Sequence, residues 1–317
     1  MSWRVLKFLK EGTTVSGEEI SASLGISRSA VWKKITLLRK KGYVIHAVSS
    51  QGYLLQASPD LAVEQIIAQI QGDVWKTVLY FPSVDSTNEV AASMKDILPG
   101  TVIIADSQTR GRGRLGRRWI SPSGRNIYLS MIIRPELLPR DAPLLTVLTA
   151  VSCAHALRRL SGLPLLIKWP NDLTVQGRKI GGILTETRSD PDHIQQAIIG
   201  VGINVNMTRD DIPDDLRETA TSLVLETGSP FQRTHLIVGM LSEFEHRYKM
   251  LVGQGRRALL PDLRALSSTI GRDVVVTAGT ERLSGYAEDI DDDGILILRL
   301  ASGERRRVSV GDLNMVR

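Results

Sequence analysis

The sequence predicts a multidomain α+β protein: a winged helix-turn-helix, a mixed α/β middle and a small C-terminal β-barrel. Three observations predict it. The chain has 317 residues, about twice the length of a typical single domain. Residues 1–57 run helix, turn, helix, ribbon and hold the whole of the net positive charge. From about residue 270, short apolar runs alternate with glycine-bearing turns. With 42% apolar and 23% charged residues, the composition is that of a globular protein, neither fibrous nor disordered.

The first helical stripe is Val5, Leu6, Phe8 and Leu9. Ser16-Gly17-Glu18-Glu19 fits a capping box, with a hydroxyl at the N-cap and a glutamate three residues on. Ile20 and Leu24 follow at helical spacing, and Gly25-Ile26-Ser27 turns the chain and sets a second N-cap at Ser27. Val31, Ile35 and Leu38 form the buried stripe of the next helix, which Gly42 ends. Arg28, Ser29, Lys33 and Thr36 then face outward, while Trp32 fits either the core or the open face. Residues 43–48 and 53–55, joined by Ser49-Ser50-Gln51-Gly52, read as a two-stranded ribbon. This is the outline of a winged helix-turn-helix, whose second helix enters the DNA major groove. Arg28, Ser29, Trp32 and Lys33 are its candidate DNA contacts. Residues 1–57 carry nine Lys/Arg against three Glu, a net of +6, whereas residues 58–317 carry 31 of each sign. Such a localised surplus suits a polyanion; a winged helix used for protein contacts is the alternative.

Ala57-Ser58-Pro59-Asp60 is a boundary, and Leu61, Glu64, Gln65 and Ala68 suggest a linking helix. The predicted domains are therefore 1–60, 61–268 and 269–317. In the middle, apolar strands at 78–81, 101–105, 126–133, 165–169 and 197–205 mix with helical patterns at 88–94, 143–160 and 234–252. The tail shows strands at 274–277, 282–290, 295–300 and 305–310, with turns at Gly279, Asp293-Gly294 and Ser302-Gly303. A single cysteine, Cys153, excludes an internal disulfide framework and a cysteine-rich zinc site. Residues 1–10 carry no secretory signal. The longest uncharged apolar stretch, 142–157, is too short for a bilayer, so the expectation is a cytoplasmic protein with no membrane association.

Gly111-Arg112-Gly113-Arg114-Leu115-Gly116-Arg117-Arg118 satisfies G-x-G-x-x-G, yet a strand rather than a helix follows it, which rejects a dinucleotide fold. A phosphate-binding P-loop fails too, because Arg117-Arg118 stands where Lys-Ser/Thr should. What remains is a glycine-permitted loop with arginines at 110, 112, 114, 117 and 118 and no acid between Asp106 and Glu136. Guanidinium forks grip phosphate or carboxylate at two points, so a small phosphorylated ligand is favoured over a nucleic-acid contact or a merely solvated loop. Mutual repulsion among these cations predicts a loop that is mobile until a polyanion arrives. Further on, an apolar strand runs straight into Lys168-Trp169-Pro170-Asn171-Asp172, which fits either an anion ligand or a solvated strand end. Gly181-Gly182-Ile183-Leu184 and residues 200–204 add two places where backbone can approach a ligand closely.

At these motifs, and at Asp85-Ser86-Thr87-Asn88, the chain resembles the bifunctional biotin protein ligase and biotin operon repressor family over essentially its whole length. The resemblance implies a central domain like those of class II aminoacyl-tRNA synthetases and biotin/lipoate ligases, and a tail barrel of Src-homology-3 type. It implies an ATP-dependent, AMP-forming ligase that makes biotinyl-5′-AMP and passes biotin to a lysine of the biotin carboxyl carrier protein of acetyl-CoA carboxylase. Ser86, Thr87, Asn88, Gln108, Gly111, Arg112, Gly113, Arg114, Lys168 and Gly182 would serve biotin. Arg114, Arg117, Lys168, Asn171 and Asn204 would serve ATP and the adenylate, with Lys168, Arg112 and Arg114 as the catalytic set. The resemblance also implies Mg2+ as a cofactor with no metal site built by the protein, operator DNA as a partner, repression of biotin synthesis genes, and a homodimer promoted by the adenylate as corepressor. Neither Cys153 nor any of the five histidines is needed for such chemistry. Leu115 stands where relatives are often basic, and the stretch 207–220 departs from the pattern, leaving open whether Ile212, Leu216 or a neighbour covers the adenine. A sensor that binds without catalysing and a lipoate-type acyl-protein ligase are the competing readings.

Overall fold

A computed structural model describes residues 2–70, 72–278, 280–309 and 311–315. Gly279, a predicted turn, and Val310, the predicted end of a strand, lie outside the described residues. The chain divides into two compact units, one of residues 1–72 with 232–238 and one of residues 73–231 with 239–317.

In the first unit, α1 (Trp3–Leu6), β1 (Thr14–Val15), α2 (Gly17–Leu24), α3 (Arg28–Lys40), β2 (Val44–Val48), β3 (Gly52–Ala57) and α4 (Val63–Gln69) follow in order. The Ser16 hydroxyl accepts from Glu19 N at 3.0 Å, and the Ser27 hydroxyl from Ala30 N at 3.2 Å, so both predicted caps satisfy otherwise unpaired helix donors. Val31, Ile35 and Leu38 are fully buried, and with Val5, Ile20 and Ile45 they form the core of the unit. Ala62 and Ala68, at and within α4, belong to that core. β1, overlooked in the sequence because it has two residues, pairs with β3, giving the order β1-β3-β2. Gly52, at φ +115°, is required there: a Cβ would lie 2.1 Å from the Val15 carbonyl oxygen.

The second unit begins with β4 (Thr77–Phe81), α5 (Thr87–Ser93), β5 (Thr101–Ala105), β6 (Ile127–Ile133) and α6 (Ala142–Ser161). It continues with β7 (Leu166–Lys168), β8 (Asp172–Val175), β9 (Arg178–Ser189), β10 (Ile194–Ile203), α7 (Leu223–Thr227), α8 (Arg233–Gln254, whose residues 233–238 belong to the first unit) and α9 (Leu260–Leu266). Among the described residues the strands form a seven-stranded sheet, β4-β5-β6-β10-β9-β8-β7, antiparallel except for β4 with β5. Helix α6 is apolar on nearly every side because it is buried on nearly every side, from Leu144 to Leu157. It packs on β9 and β10, while α5 packs on β5, β6 and β10. The tail adds β11 (Asp273–Ala278), β12 (Glu281–Ile290), β13 (Leu296–Arg299), β14 (Arg305–Val308) and β15 (Asp312–Met315). These pair antiparallel in the order β14-β13-β12-β11-β15 around Val274, Val276, Ala287, Leu296 and Leu298. No helix among the described residues is long and apolar enough to cross a membrane.

Candidate functional site

The second unit encloses a cavity of about 410 Å3. The loop between β5 and β6, the β7–β8 turn, the glycines of β9 and β10 and the 207–220 stretch wall it. Of the residues predicted to serve biotin or the adenylate, all line this cavity except Gly111. Gly111 sits behind the wall: a Cβ there would come 2.5 Å from the Trp119 carbonyl oxygen and 2.6 Å from Ser121 Oγ, so only glycine lets the loop fold back on itself.

Lys168 ends β7, register-paired with Asp172 across a turn that contains a cis Trp169-Pro170 bond. The turn is fixed from the tail: Trp169 N donates to Thr269 Oγ1 at 3.0 Å and Trp169 Nε1 to the Gly294 carbonyl oxygen at 3.1 Å. Among the described residues no hydrogen bond or ion pair closes on Lys168 Nζ. Burial, opposed by Asp172 and reinforced by Lys179 and Arg117, holds its pKa below the ordinary lysine value. The nearby Asp172 carboxylate is instead paired with Lys179 Nζ at 2.6 Å. Arg114 donates to Asn171 Oδ1 at 3.0 Å and to the Gly311 carbonyl oxygen at 3.3 Å, and burial lowers its pKa as well. Asn171 is itself oriented by donating to the Ile183 carbonyl oxygen at 2.8 Å.

The arginine loop departs from expectation. Its repulsion is offset by carboxylates from elsewhere in the chain: Asp85 pairs with Arg110, Glu89 and Glu186 with Arg112, and Asp312 with Arg117. The premise that only a ligand could neutralise it therefore fails. The Thr109 hydroxyl, then Arg110, hold Asp85 below the usual carboxylate range. Arg112, Arg114 and Lys168 nonetheless share one cavity.

The remaining predicted residues divide by how their polar atoms are used. Gln108 Oε1 accepts from Thr87 N at 2.9 Å and its Nε2 donates to Ser121 Oγ at 3.0 Å, which ties the loop to α5. Asn204 Nδ2 donates to the Thr221 carbonyl oxygen at 3.0 Å, holding the end of the 207–220 stretch. Ile212 and Leu216 both reach the cavity wall. Trp119 and Lys179 are among the wall residues that were not anticipated. The Trp119 ring lies over Gly202, where a Cβ would come within 2.6 Å of it, and Lys179 Nζ stands 5.5 Å from its centroid. Among the described residues Trp119 Nε1 is buried with no hydrogen-bond partner, and the glycine pairs of β9 and β10 were the signal for a flat ring above them. Cys153 is buried and does not line the cavity, its thiol pushed up to about 12 by burial. In the first unit, Arg28, Ser29, Trp32 and Lys33 are all exposed on α3, which resolves Trp32 to the open face.

Residues 80–204 match the Biotin/lipoate A/B protein ligase family, residues 4–54 an HTH domain and residues 269–313 the Biotin protein ligase C terminal domain. The chain is 36% identical over 296 residues to a Bifunctional ligase/repressor BirA of Bacillus subtilis, covering 92% of this chain and 91% of that one. It is 33% identical to the protein of that name from Escherichia coli, over 93% of this chain and 91% of that one. Among solved structures, a biotin protein ligase from Aquifex aeolicus in complex with biotin and ATP superposes with a TM-score of 0.67 at 27% identity, covering 77% of this chain and all of that one. The chain belongs to the family of bifunctional biotin protein ligases and repressors.

Proposed function

We propose that this chain joins biotin to ATP, giving biotinyl-5′-AMP and pyrophosphate, and passes biotin to a lysine of a biotin carboxyl carrier protein. The observation that carries the reading is the ammonium of Lys168, unpaired within a cavity that Arg112, Arg114 and Arg117 also line. A biotin carboxylate oxygen attacks the α-phosphorus, and the bond from that phosphorus to the pyrophosphate oxygen breaks. Two unit charges 4 Å apart repel by about 4 kcal/mol at an effective dielectric near 20, so the approach of these anions needs cations already in place. Lys168 and Arg114 stand where both reactants can be neutralised, and Arg117 can meet the departing pyrophosphate once Asp312 releases it. No side-chain nucleophile is required, because positioning and charge suffice. In the second half the carrier lysine attacks the acyl carbon and AMP leaves.

The donor set bears on magnesium. Among the described residues no three His, Cys, Asp or Glu side chains gather to hold a metal, and the nearest carboxylates, Asp172 and Asp312, are paired with Lys179 and Arg117. Mg2+ therefore fits as an ion carried by the ATP phosphates, where it would supply charge neutralisation.

The first unit, with its net +6 before residue 58 and the exposed Arg28, Ser29, Trp32 and Lys33, fits operator DNA. We read the adenylate as a corepressor that promotes a homodimer, the working compartment as the cytoplasm, and domain limits of 1–60, 61–268 and 269–317. Incubating the purified chain with labelled biotin, ATP, Mg2+ and a carrier domain tests the reading. Label on the carrier lysine is expected; biotin binding without adenylate formation would favour the sensor instead.

A further inference from the structure

Strand β9 brings a carboxylate to the biotin side of the cavity from behind. Glu186, register-paired with Ile198 of β10, accepts from Asn88 Nδ2 through Oε2 at 2.7 Å and from Arg112 Nη2 through Oε1 at 3.2 Å. Asn88 is 3% exposed and its bonds are filled inside the protein. Its second amide proton goes to the Leu184 carbonyl oxygen at 3.3 Å, and its Oδ1 accepts the Ser130 hydroxyl at 2.6 Å. It sits so close to β10 that a Cβ on Gly200 would lie 2.5 Å from Oδ1. Asn88 is thus a fixed point, and Glu186 links that fixed position to a part-exposed side chain. Arg112 is 46% exposed, and its other ion pair, to Glu89 Oε1, is longer at 3.5 Å.

Part-exposed ion pairs of this sort contribute little to stability, so stability does not account for two carboxylates converging on one guanidinium. Orientation does. A guanidinium has five donors in a rigid plane, and anchoring one edge decides where the others point.

We infer that Glu186 is a positioning residue for the biotin half-site, holding the Arg112 guanidinium in register by bridging it to the buried Asn88. This rests on the reading that Arg112 serves biotin. Biotin-dependent ATP–pyrophosphate exchange in the full-length chain tests it, with KM for biotin, KM for ATP and kcat measured for Glu186→Gln, Glu186→Ala, Arg112→Ala and the Arg112→Ala/Glu186→Ala double variant. Glu186→Ala should raise the biotin KM by about tenfold while the ATP KM moves by roughly twofold or less. Glu186→Gln, which keeps one oxygen as acceptor, turns an NH2 toward the other donor and removes the charge, should fall between and serves if the alanine variant does not fold. The double variant should match Arg112→Ala alone, since a residue acting through Arg112 has nothing left to position. If Arg112→Ala raises the biotin KM but the Glu186 variants behave as wild type, or the two effects add, the positioning role is wrong and the biotin reading stands. If Arg112→Ala leaves the biotin KM unchanged, the biotin reading of Arg112 is wrong and the inference goes with it.

Discussion

At the scale of residues, the site is a problem of unpaired charge. Burial disfavours the ammonium of Lys168, and Asp172, ion-paired with Lys179, offsets this only in part. The sign of the consequence follows. With its folded pKa below the unfolded value, the lysine costs stability at pH values below both, and that cost fades as pH rises through the folded value. Lys168→Met should therefore raise the melting temperature of the empty chain at neutral pH, read by calorimetry; a lower melting temperature would mean that the ammonium is stabilised by contacts not described above. Rates should show the same shift. The alkaline limb of kcat/KM for pyrophosphate exchange should fall below the ordinary lysine range, whereas that of kcat should lie higher, because bound anions restore the ammonium. Coincident limbs would contradict this. Lys168 was legible in sequence because it broke an apolar strand. Glu186 was not, because a glutamate on a strand looks like any solvated residue until Asn88 and Arg112 are seen to meet it.

At the scale of elements, local chemistry predicts well and long-range pairing does not. Both serine caps, the Val31–Ile35–Leu38 stripe and most strands of the middle and tail stand where patterning put them, because each is set by neighbours in sequence. Ser16→Ala should cost about 1 kcal/mol of stability in the first unit by denaturant titration, and no measurable change would mean that the cap is taken over by water. Strands β8, β9 and β15 went unread: β8 is a short return after a lysine, β9 is masked by Gly181-Gly182, β15 is four residues long, and each is defined by partners distant in sequence or by a tight turn. The arginine loop taught the same lesson in charge, since the acids that offset it come from residues 85, 89, 186 and 312. Glycines in β10 predicted close approach but not its object. Gly202→Ala would push a methyl into the Trp119 ring that lines the cavity, and we expect roughly tenfold or more loss of biotin or ATP affinity, measured by calorimetric titration. Unchanged affinity for both would mean that the ring belongs to neither binding surface.

At the scale of the whole molecule, charge is divided as the work is. The first 57 residues hold the net +6, and the remainder, neutral in sum, concentrates arginines around one cavity. Binding of operator DNA should weaken steeply with salt, its logarithm falling by about 0.9 for each phosphate neutralised per unit of log salt; a flat response would assign the helix-turn-helix to protein contacts. The family was readable from glycine and lysine motifs spread along the chain, but the division into units was not. Residues 232–238 join the first unit, where Arg233 N donates to Asp60 Oδ1 at 2.8 Å and Thr234 Oγ1 accepts from Ala62 N at 2.7 Å. A cut after residue 57 would thus strip core partners as well as α3, so point variants of Arg28 and Lys33 are the cleaner probe of the proposed DNA contacts. The central claim is that cations from a glycine-hinged loop and from one strand end converge so that two anions can react. Biotin-dependent ATP–pyrophosphate exchange by Lys168→Ala, in a chain shown to be folded, tests it most directly. A loss of about a hundredfold or more is predicted; exchange at the wild-type rate would contradict the account.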